Sequence, residues 1–139
     1  MMNKIKEGKK LMNEVLNAMD MNLEKFLVNA IANSACYTNE WVNYWNWKEG
    51  WNDNLEAEFQ LTDKCREDRI AVAIINNYVL VDIEDGTKRK VTLDDVYRGI
   101  ADFNRECPDY YNEYIMCGGD AITDYLFLQC VVFGEIIYG

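Results

Sequence analysis

The spacing of apolar residues predicts two helices at the start of the chain. In residues 1–19 apolar side chains recur every three or four positions with lysines between them, which is the spacing of one helix face. The same spacing returns in residues 22–34, where either Asp20 or Asn22 can cap the first turn. We therefore expect two amphipathic helices that pack on the core of the domain.

Alternating and β-branched runs predict an antiparallel sheet in the middle of the chain. Residues 56–62 alternate polar and apolar side chains and are followed by a charged stretch, residues 63–69, which we expect to be a loop. Residues 70–75 and 78–83 are rich in β-branched side chains. The Asn76-Asn77 pair between them fits either a tight hairpin or one long bulged strand.

A hairpin turn is predicted at Glu84-Asp85-Gly86, and a further strand over residues 87–93. This strand carries Lys88, Arg89 and Lys90, which form one basic spot. Charged residues on an exposed edge strand prevent its pairing with other chains, so we expect this strand to lie at the edge of the sheet.

After the sheet, the spacing of apolar residues becomes helical again. It predicts three helices, over residues 93–105, 109–117 and 122–133. Thr92 can cap the first of them and Asp120 the last. The last helix is apolar on all sides, which is typical of a buried helix, and Gly134 can end it. It is shorter than the roughly 18–20 residues that span a bilayer, so we expect a core helix and no membrane association.

These elements predict an α+β fold, in which a small antiparallel sheet of three to four strands packs with N-terminal helices and a buried C-terminal helix. We expect a single domain over residues 1–139, helical over 1–50 with a Trp-rich end, with the sheet over 55–93 and helices over 93–139. In the core, we expect Phe127, Phe133 and Tyr138 to pack against Trp41, Trp45 and the sheet.

The four tryptophans fall within eleven residues, with a tyrosine among them, and form the most unusual stretch of the chain: Trp41, Tyr44, Trp45, Trp47 and Trp51. If the stretch is helical, Trp41 and Trp45 share one face. One interpretation is that the stretch wraps the core helix. The other is an exposed aromatic platform that binds a partner protein or a small molecule, for instance a nucleotide signal. Lys48 is the only cation nearby, which argues against stacking on single-stranded nucleic acid.

Charge is distributed unequally along the chain. The net charge is −10, and residues 1–50 balance six Lys against six Asp/Glu, whereas residues 51–139 hold eight Lys/Arg and eighteen Asp/Glu. Such a field repels nucleic acid and anionic membranes and attracts basic partners, although acidity also serves solubility. If the charge is functional, the best partner-binding candidates are Asp63, Glu67, Asp68, Asp82, Glu84, Asp85, Asp94, Asp95, Asp102, Glu106, Asp109 and Glu113.

Residues for catalysis are scarce. The chain has no histidine and a single serine, Ser34, and it lacks nucleotide-binding and hydrolase motifs. Its five cysteines form no CxxC pair, which argues against zinc, and no signal peptide opens the chain. Asp120 and Asp124 are one helical turn apart, but a cap and a first-turn acid need no catalytic explanation. We therefore expect no enzyme, no cofactor, no metal, reduced thiols and a location in the cytoplasm.

The C-terminal segment combines Asp120-Ala121 and Asp124 with Leu126-Phe-Leu-Gln-Cys-Val-Val-Phe-Gly-Glu-Ile-Ile-Tyr-Gly139. It resembles the tail of small, largely uncharacterised proteins of phages and mobile elements, of the form DAxxADxxLQxxLFGExxYG. Val91 to Ile100 and, more loosely, Ala30 to Trp45 resemble further elements of that family, so about half of the chain takes part. In place of a Gly-Gly pair this chain has Asn33-Ser34. The resemblance implies a phage or mobile-element origin, and hence a location in the cytoplasm of a bacterial host cell, and names no biochemical role.

Small acidic proteins of such origin often inhibit host defence, as anti-CRISPR and anti-restriction proteins do. Our leading hypothesis is a non-enzymatic binding protein that inhibits a basic, nucleic-acid-handling host protein such as a defence nuclease, by presenting carboxylates in place of phosphates. One alternative is the nucleotide-binding module, for which Lys88, Arg89, Lys90, Arg98 and Arg105 would supply cations. Another is an accessory phage protein that acts through a homo-oligomeric interface, for instance as a homodimer.

Overall fold

The computed structural model describes residues 2–59 and 65–138. It has the predicted α+β architecture, with helices around a three-stranded antiparallel sheet of order β1-β2-β3. In chain order the elements are α1 (Met2–Met19), α2 (Leu23–Asn33), α3 (Ala35–Thr38), β1 (Val42–Asn46), α4 (Asp53–Phe59), α5 (Arg66–Asn76), β2 (Val79–Ile83), β3 (Lys88–Val91), α6 (Leu93–Glu106), α7 (Pro108–Cys117) and α8 (Ala121–Phe133).

The sheet has two distinct ends. β1 and β2 pair antiparallel from Val42↔Ile83 to Asn46↔Leu80, and β3 pairs with β2 from Val79↔Val91 to Asp82↔Lys88. One end therefore carries the start of β1 and the β2–β3 turn. The other carries the end of β1 and the start of β2.

Helix α8 lies in the core, as predicted. Phe127 is fully buried, and its ring lies 5.4 Å from that of Phe26, 5.9 Å from Phe103 and 6.1 Å from Tyr114. Aromatic rings at these separations stabilise a core beyond the area that they bury. One helix thus joins side chains from α2, α6 and α7.

Local capping explains where α8 begins and ends. Asp120 Oδ1 accepts a hydrogen bond from Thr123 N at 3.0 Å, and the Gly134 N–H donates to Cys130 O at 2.9 Å. Gly134 has φ +80°, a conformation that favours glycine and ends the helix. Phe133 and Tyr138 then lie 4.9 Å and 5.9 Å from the Trp41 ring, which confirms the expected packing for that tryptophan.

The strand predicted over residues 56–62 is wrong for the part that the structure describes. Residues 53–59 form α4, and residues 60–62 lie outside the described residues. Asn52 Oδ1 accepts a hydrogen bond from Leu55 N at 2.9 Å, and Asp53 and Glu56 occupy the first turn. Acids in the first turn favour a helix there over the alternating pattern.

The strand predicted over residues 70–75 is also wrong, because these residues belong to α5. Every residue from Ile70 to Ile74 is buried, so the run has no polar stripe that could reveal a helical period. Arg66 to Arg69, expected to be a loop, form the first turn of this helix. Of the two β-branched runs, only residues 78–83 contain a strand, β2, whereas β3 lies within the strand predicted over residues 87–93 and at the edge of the sheet, as expected.

The Trp-rich stretch supplies the first strand of the sheet, not the predicted helical face. Trp41 directly precedes β1, and Trp45 lies within it opposite Val81. The stretch predicted as helical, residues 1–50, therefore contains β1, and the region predicted as sheet, residues 55–93, contains α5 and part of α4.

Candidate functional site

At the turn end of the sheet, carboxylates and phenols come together on the surface. We call this group the acidic–tyrosine surface; it consists of Tyr37, Glu40, Glu84, Asp85 and Tyr138, together with Tyr125, which is buried and packs against Tyr37. Glu84 and Asp85 lie in the β2–β3 turn, where the Glu84 N–H donates to Trp41 O at 3.0 Å. The Tyr138 hydroxyl donates to Glu84 Oε1 at 3.1 Å, so the segment after α8 is joined to the turn.

The short helix α3 and the chain after it add a second half to this surface. The rings of Tyr37 and Tyr125 lie 5.7 Å apart, and Tyr37 is 37 % exposed. Burial raises the pKa of Tyr125, and the negative charge of Glu40 raises it further. An acid and two phenols from different elements therefore adjoin one another here.

The electrostatics of this surface are negative. The pKa of the Tyr138 phenol is raised by desolvation, then by its hydrogen bond to Glu84 and by the charges of Glu84 and Asp85. The pKa of Asp85 is lowered by hydrogen bonds from the side chain and backbone of Thr87, so this carboxylate is ionised at neutral pH. Arg89, on the neighbouring strand, lies over the Phe133 ring at 5.4 Å and borders the surface.

Of the twelve acids predicted from the sequence, Glu84 and Asp85 belong to this surface. Asp63 lies outside the described residues. Others act within the fold: Asp68 accepts from Cys65 N, Glu106 accepts from Ile136 N, and Asp82 pairs with Lys88. Glu67, Asp94 and Asp109 lie at the starts of α5, α6 and α7, away from the β2–β3 turn in the chain. The sequence missed Glu40 and the three tyrosines, because only the fold brings these elements together.

The prediction that Asp102 binds a partner is wrong, because its side chain is only 2 % exposed. Its carboxylate pairs with three cations, Arg98 at 2.9 Å, Lys4 at 3.0 Å and Arg105 at 3.1 Å. Arg98 and Arg105 are therefore not available as phosphate-binding cations either. The i−4 and i+3 spacing of the two arginines on α6 is a sequence signal that could have revealed this pairing.

Arg98 also connects α6 to α8. Its guanidinium donates to Val131 O at 3.0 Å and pairs with Asp95 at 3.2 Å, while Asp95 accepts from the backbone N–H of Thr92 at 2.8 Å. Asp95 is thus engaged in capping and pairing within its own helix and is a poor candidate for partner binding.

A second buried carboxylate, Asp124, has a different environment. Tyr114, which is fully buried, donates its hydroxyl to Asp124 Oδ1 at 2.6 Å. Burial raises the pKa of Asp124 to about 6; the Tyr114 hydrogen bond lowers it and the charge of Asp120 raises it. At the same helix start, the Thr123 hydroxyl donates to Glu113 Oε2 at 2.8 Å, so Glu113 also takes part in the fold.

The predicted role in ligand binding is wrong for two of the five aromatic residues. Trp41 is fully buried and Trp45 is 2 % exposed, so neither can form an exposed platform. Tyr44, Trp47 and Trp51 are partly exposed. Trp47 and Trp51 lie at the other end of the sheet, where Arg69 and Lys48 approach Trp47.

No protein-family model, no curated protein and no solved structure matches this chain. Within residues 2–59 and 65–138, no helix is long and apolar enough to cross a membrane. In the same part of the chain, no three Cys, Asp or Glu side chains are grouped in a way that could hold a metal ion. All five cysteines are free thiols.

Proposed function

We propose that this chain is a non-enzymatic binding protein of phage or mobile-element origin that inhibits a basic, nucleic-acid-handling host defence protein. Its acidic–tyrosine surface is the proposed contact. The observation that carries the proposal is the Tyr138–Glu84 hydrogen bond at the exposed turn, beside the ionised Asp85. It keeps a phenol and carboxylates together on a surface that a partner can reach.

The composition of this surface suits a basic partner. Carboxylates attract Lys and Arg side chains that otherwise hold phosphates, which is the basis of DNA mimicry. Tyrosine provides large amphipathic contact area and is enriched in protein interfaces. Ile137, which is 52 % exposed next to Tyr138, adds apolar area. The surface thus combines electrostatic attraction with anchoring side chains.

The test is phage plating on bacteria that carry a defined nuclease-based defence, such as a CRISPR or restriction system, with and without this protein. We expect the protein to restore plating against at least one system. A double charge reversal, Glu84→Lys with Asp85→Lys, should reduce this restoration by about tenfold or more, because like charges at an interface cost several kcal/mol.

The matched control is Glu7→Lys with Glu58→Lys, which makes the same change in net charge at exposed positions outside the surface. The control should retain restoration. If both double variants behave alike, net charge and not this surface matters, and the proposal is wrong. Binding to the purified nuclease should also weaken steeply with salt, since the screening length falls to about 3 Å at 1 M. Binding that persists unchanged at that salt would contradict charge mimicry.

A further inference from the structure

The end of the sheet opposite the acidic–tyrosine surface carries aromatic and cationic side chains. We call it the aromatic–cationic end; it consists of Trp47, Lys48, Trp51, Arg69, Tyr78 and Lys90. Asn77 Nδ2 donates to Gly50 O at 2.9 Å, which holds the segment after β1 against the start of β2. A Cβ at Gly50 would lie 2.0 Å from Tyr78 O, so only glycine permits this approach.

The two tryptophans at this end differ in the hydrogen bonding of their indole N–H groups. Their rings lie 5.6 Å apart at an interplanar angle of 82°. Trp51 is held by the hydrogen bond from its Nε1 to Glu56 Oε2 at 2.8 Å. The indole N–H of Trp47, which is also partly exposed, has no hydrogen-bond partner among the described residues. Trp47 therefore offers a free indole donor and a partly exposed ring, which also contacts Trp51, Lys48 and Arg69.

The cations at this end rest on aromatic rings. Lys48 Nζ and Arg69 Cζ lie 5.9 Å and 5.3 Å from the centroid of Trp47, and Lys90 Nζ lies 4.6 Å from that of Tyr78. In the part of the chain that the structure describes, neither Lys48 nor Lys90 forms an ion pair with a carboxylate. In a chain of net charge −10, Lys48 and Lys90 are thus available to an anion.

We propose that the aromatic–cationic end binds a small ligand that joins a phosphate to a planar aromatic group, of the nucleoside monophosphate class. Aromatic rings stack on bases and cations hold phosphate, and both are present here within one surface. A long polyanion such as a nucleic acid strand would extend beyond this end and meet the acidic remainder of the chain, which repels it. A monophosphate contacts this end alone.

This site differs from the one expected from the sequence. Trp41 and Trp45 take no part, Arg98 and Arg105 are engaged with Asp102, and Arg69 arrives from α5. The inference is independent of the proposed inhibitory function, since it concerns the opposite end of the sheet.

The test is a titration of ¹⁵N-labelled protein with AMP and UMP, in which the indole N–H signals are followed by NMR. We expect the Trp47 signal to shift, while those of the buried Trp41 and Trp45 stay unchanged. With the indole N–H signal of Trp51 as the reporter, Trp47→Ala should weaken binding about tenfold, which is within the range for the loss of one stacked base. The pair Lys48→Ala with Lys90→Ala should weaken it at least as much. These lysines are exposed, so their loss should not unfold the chain.

The matched control is Lys6→Ala with Lys10→Ala, two exposed lysines of α1, and it should leave the affinity unchanged. Inorganic phosphate and a short oligoglutamate peptide are the comparison ligands. The proposal is wrong if neither nucleotide shifts Trp47 at millimolar concentration, or if phosphate alone binds as tightly as AMP. It is also wrong if the peptide binds as tightly, because the site would then be one for acidic peptides.

Discussion

Asp102 and Asp124 are both buried acids on core-facing helices, yet they are stabilised in different ways. Asp102 is surrounded by Arg98, Lys4 and Arg105, so its charge is compensated inside the fold. Asp124 receives one short hydrogen bond from Tyr114, and the neighbouring charge of Asp120 is of the same sign. Burial without a cation favours the neutral acid, which is why the pKa of Asp124 rises to about 6.

The difference shows that net charge alone does not reveal which carboxylates are available to a partner. A carboxylate that three cations compensate adds nothing to the outward field and supports the fold, whereas Asp85 in the exposed turn remains available to a partner. A charge-mimic hypothesis should therefore count only the acids that form no ion pair within the fold.

Asp102→Asn should cause the largest loss in the free energy of unfolding. The substitution leaves Arg98, which is only 23 % exposed, without its buried partner. Removing one member of a buried ion pair costs about 3–5 kcal/mol, and we expect the lower part of that range because Lys4 and Arg105 reach solvent. Urea unfolding at pH 7 measures it. Asp109→Asn, at an exposed position, is the control; equal losses in both variants would show that the three-cation cluster contributes little.

Tyr114→Phe should have the next largest effect. It keeps the ring in the aromatic core and removes only the donor to Asp124 Oδ1, so a buried carboxylate loses its partner. Such a loss costs about 1–3 kcal/mol. The cost should be larger at pH 8, where Asp124 is charged, than at pH 5. Tyr110→Phe is the matched control, since Tyr110 is partly exposed on the same helix. A loss independent of pH would exclude a charged Asp124 as the cause.

Elements with local start and stop signals could be predicted from the sequence. The helices after the sheet, with Thr92 and Asp120 at their caps and Gly134 at the final stop, are examples, because capping involves residues within one turn. By contrast, α5 was mistaken for a strand because tertiary burial surrounds Ile70 to Ile74 and removes any amphipathic period.

The candidate sites could be predicted only in part. Glu84 and Asp85 are adjacent in a turn, and both were expected at a partner-binding surface. The hydrogen bond between Glu84 and Tyr138 joins residues 54 positions apart, which no local pattern encodes. Likewise, the cations that face Trp47 could not be inferred, since Arg69 lies in the first turn of a helix, where a loop was expected.

The smallest effect is the pH dependence that Asp124 imparts. Its pKa is about 6 in the fold, above its ordinary value of 3.8, so folding favours the protonated form. The free energy of unfolding should therefore rise as pH falls through 6, with the gain complete only below the ordinary pKa of 3.8. Linkage gives about 1.4 kcal/mol between pH 7.5 and pH 5 from this group. Asp85 and Asp120, whose pKa values are lowered, act in the opposite direction at lower pH.

The contribution of Asp124 is isolated by comparing the wild type with Asp124→Asn across this pH range. Asn keeps an oxygen that can accept from Tyr114 and does not titrate. We expect the variant to be the more stable at pH 7.5, with an advantage that shrinks toward pH 5 as the wild-type carboxyl becomes protonated. Urea unfolding at each pH measures the difference. A constant difference would mean that Asp124 does not titrate here, and that its environment resembles the compensated one of Asp102 after all.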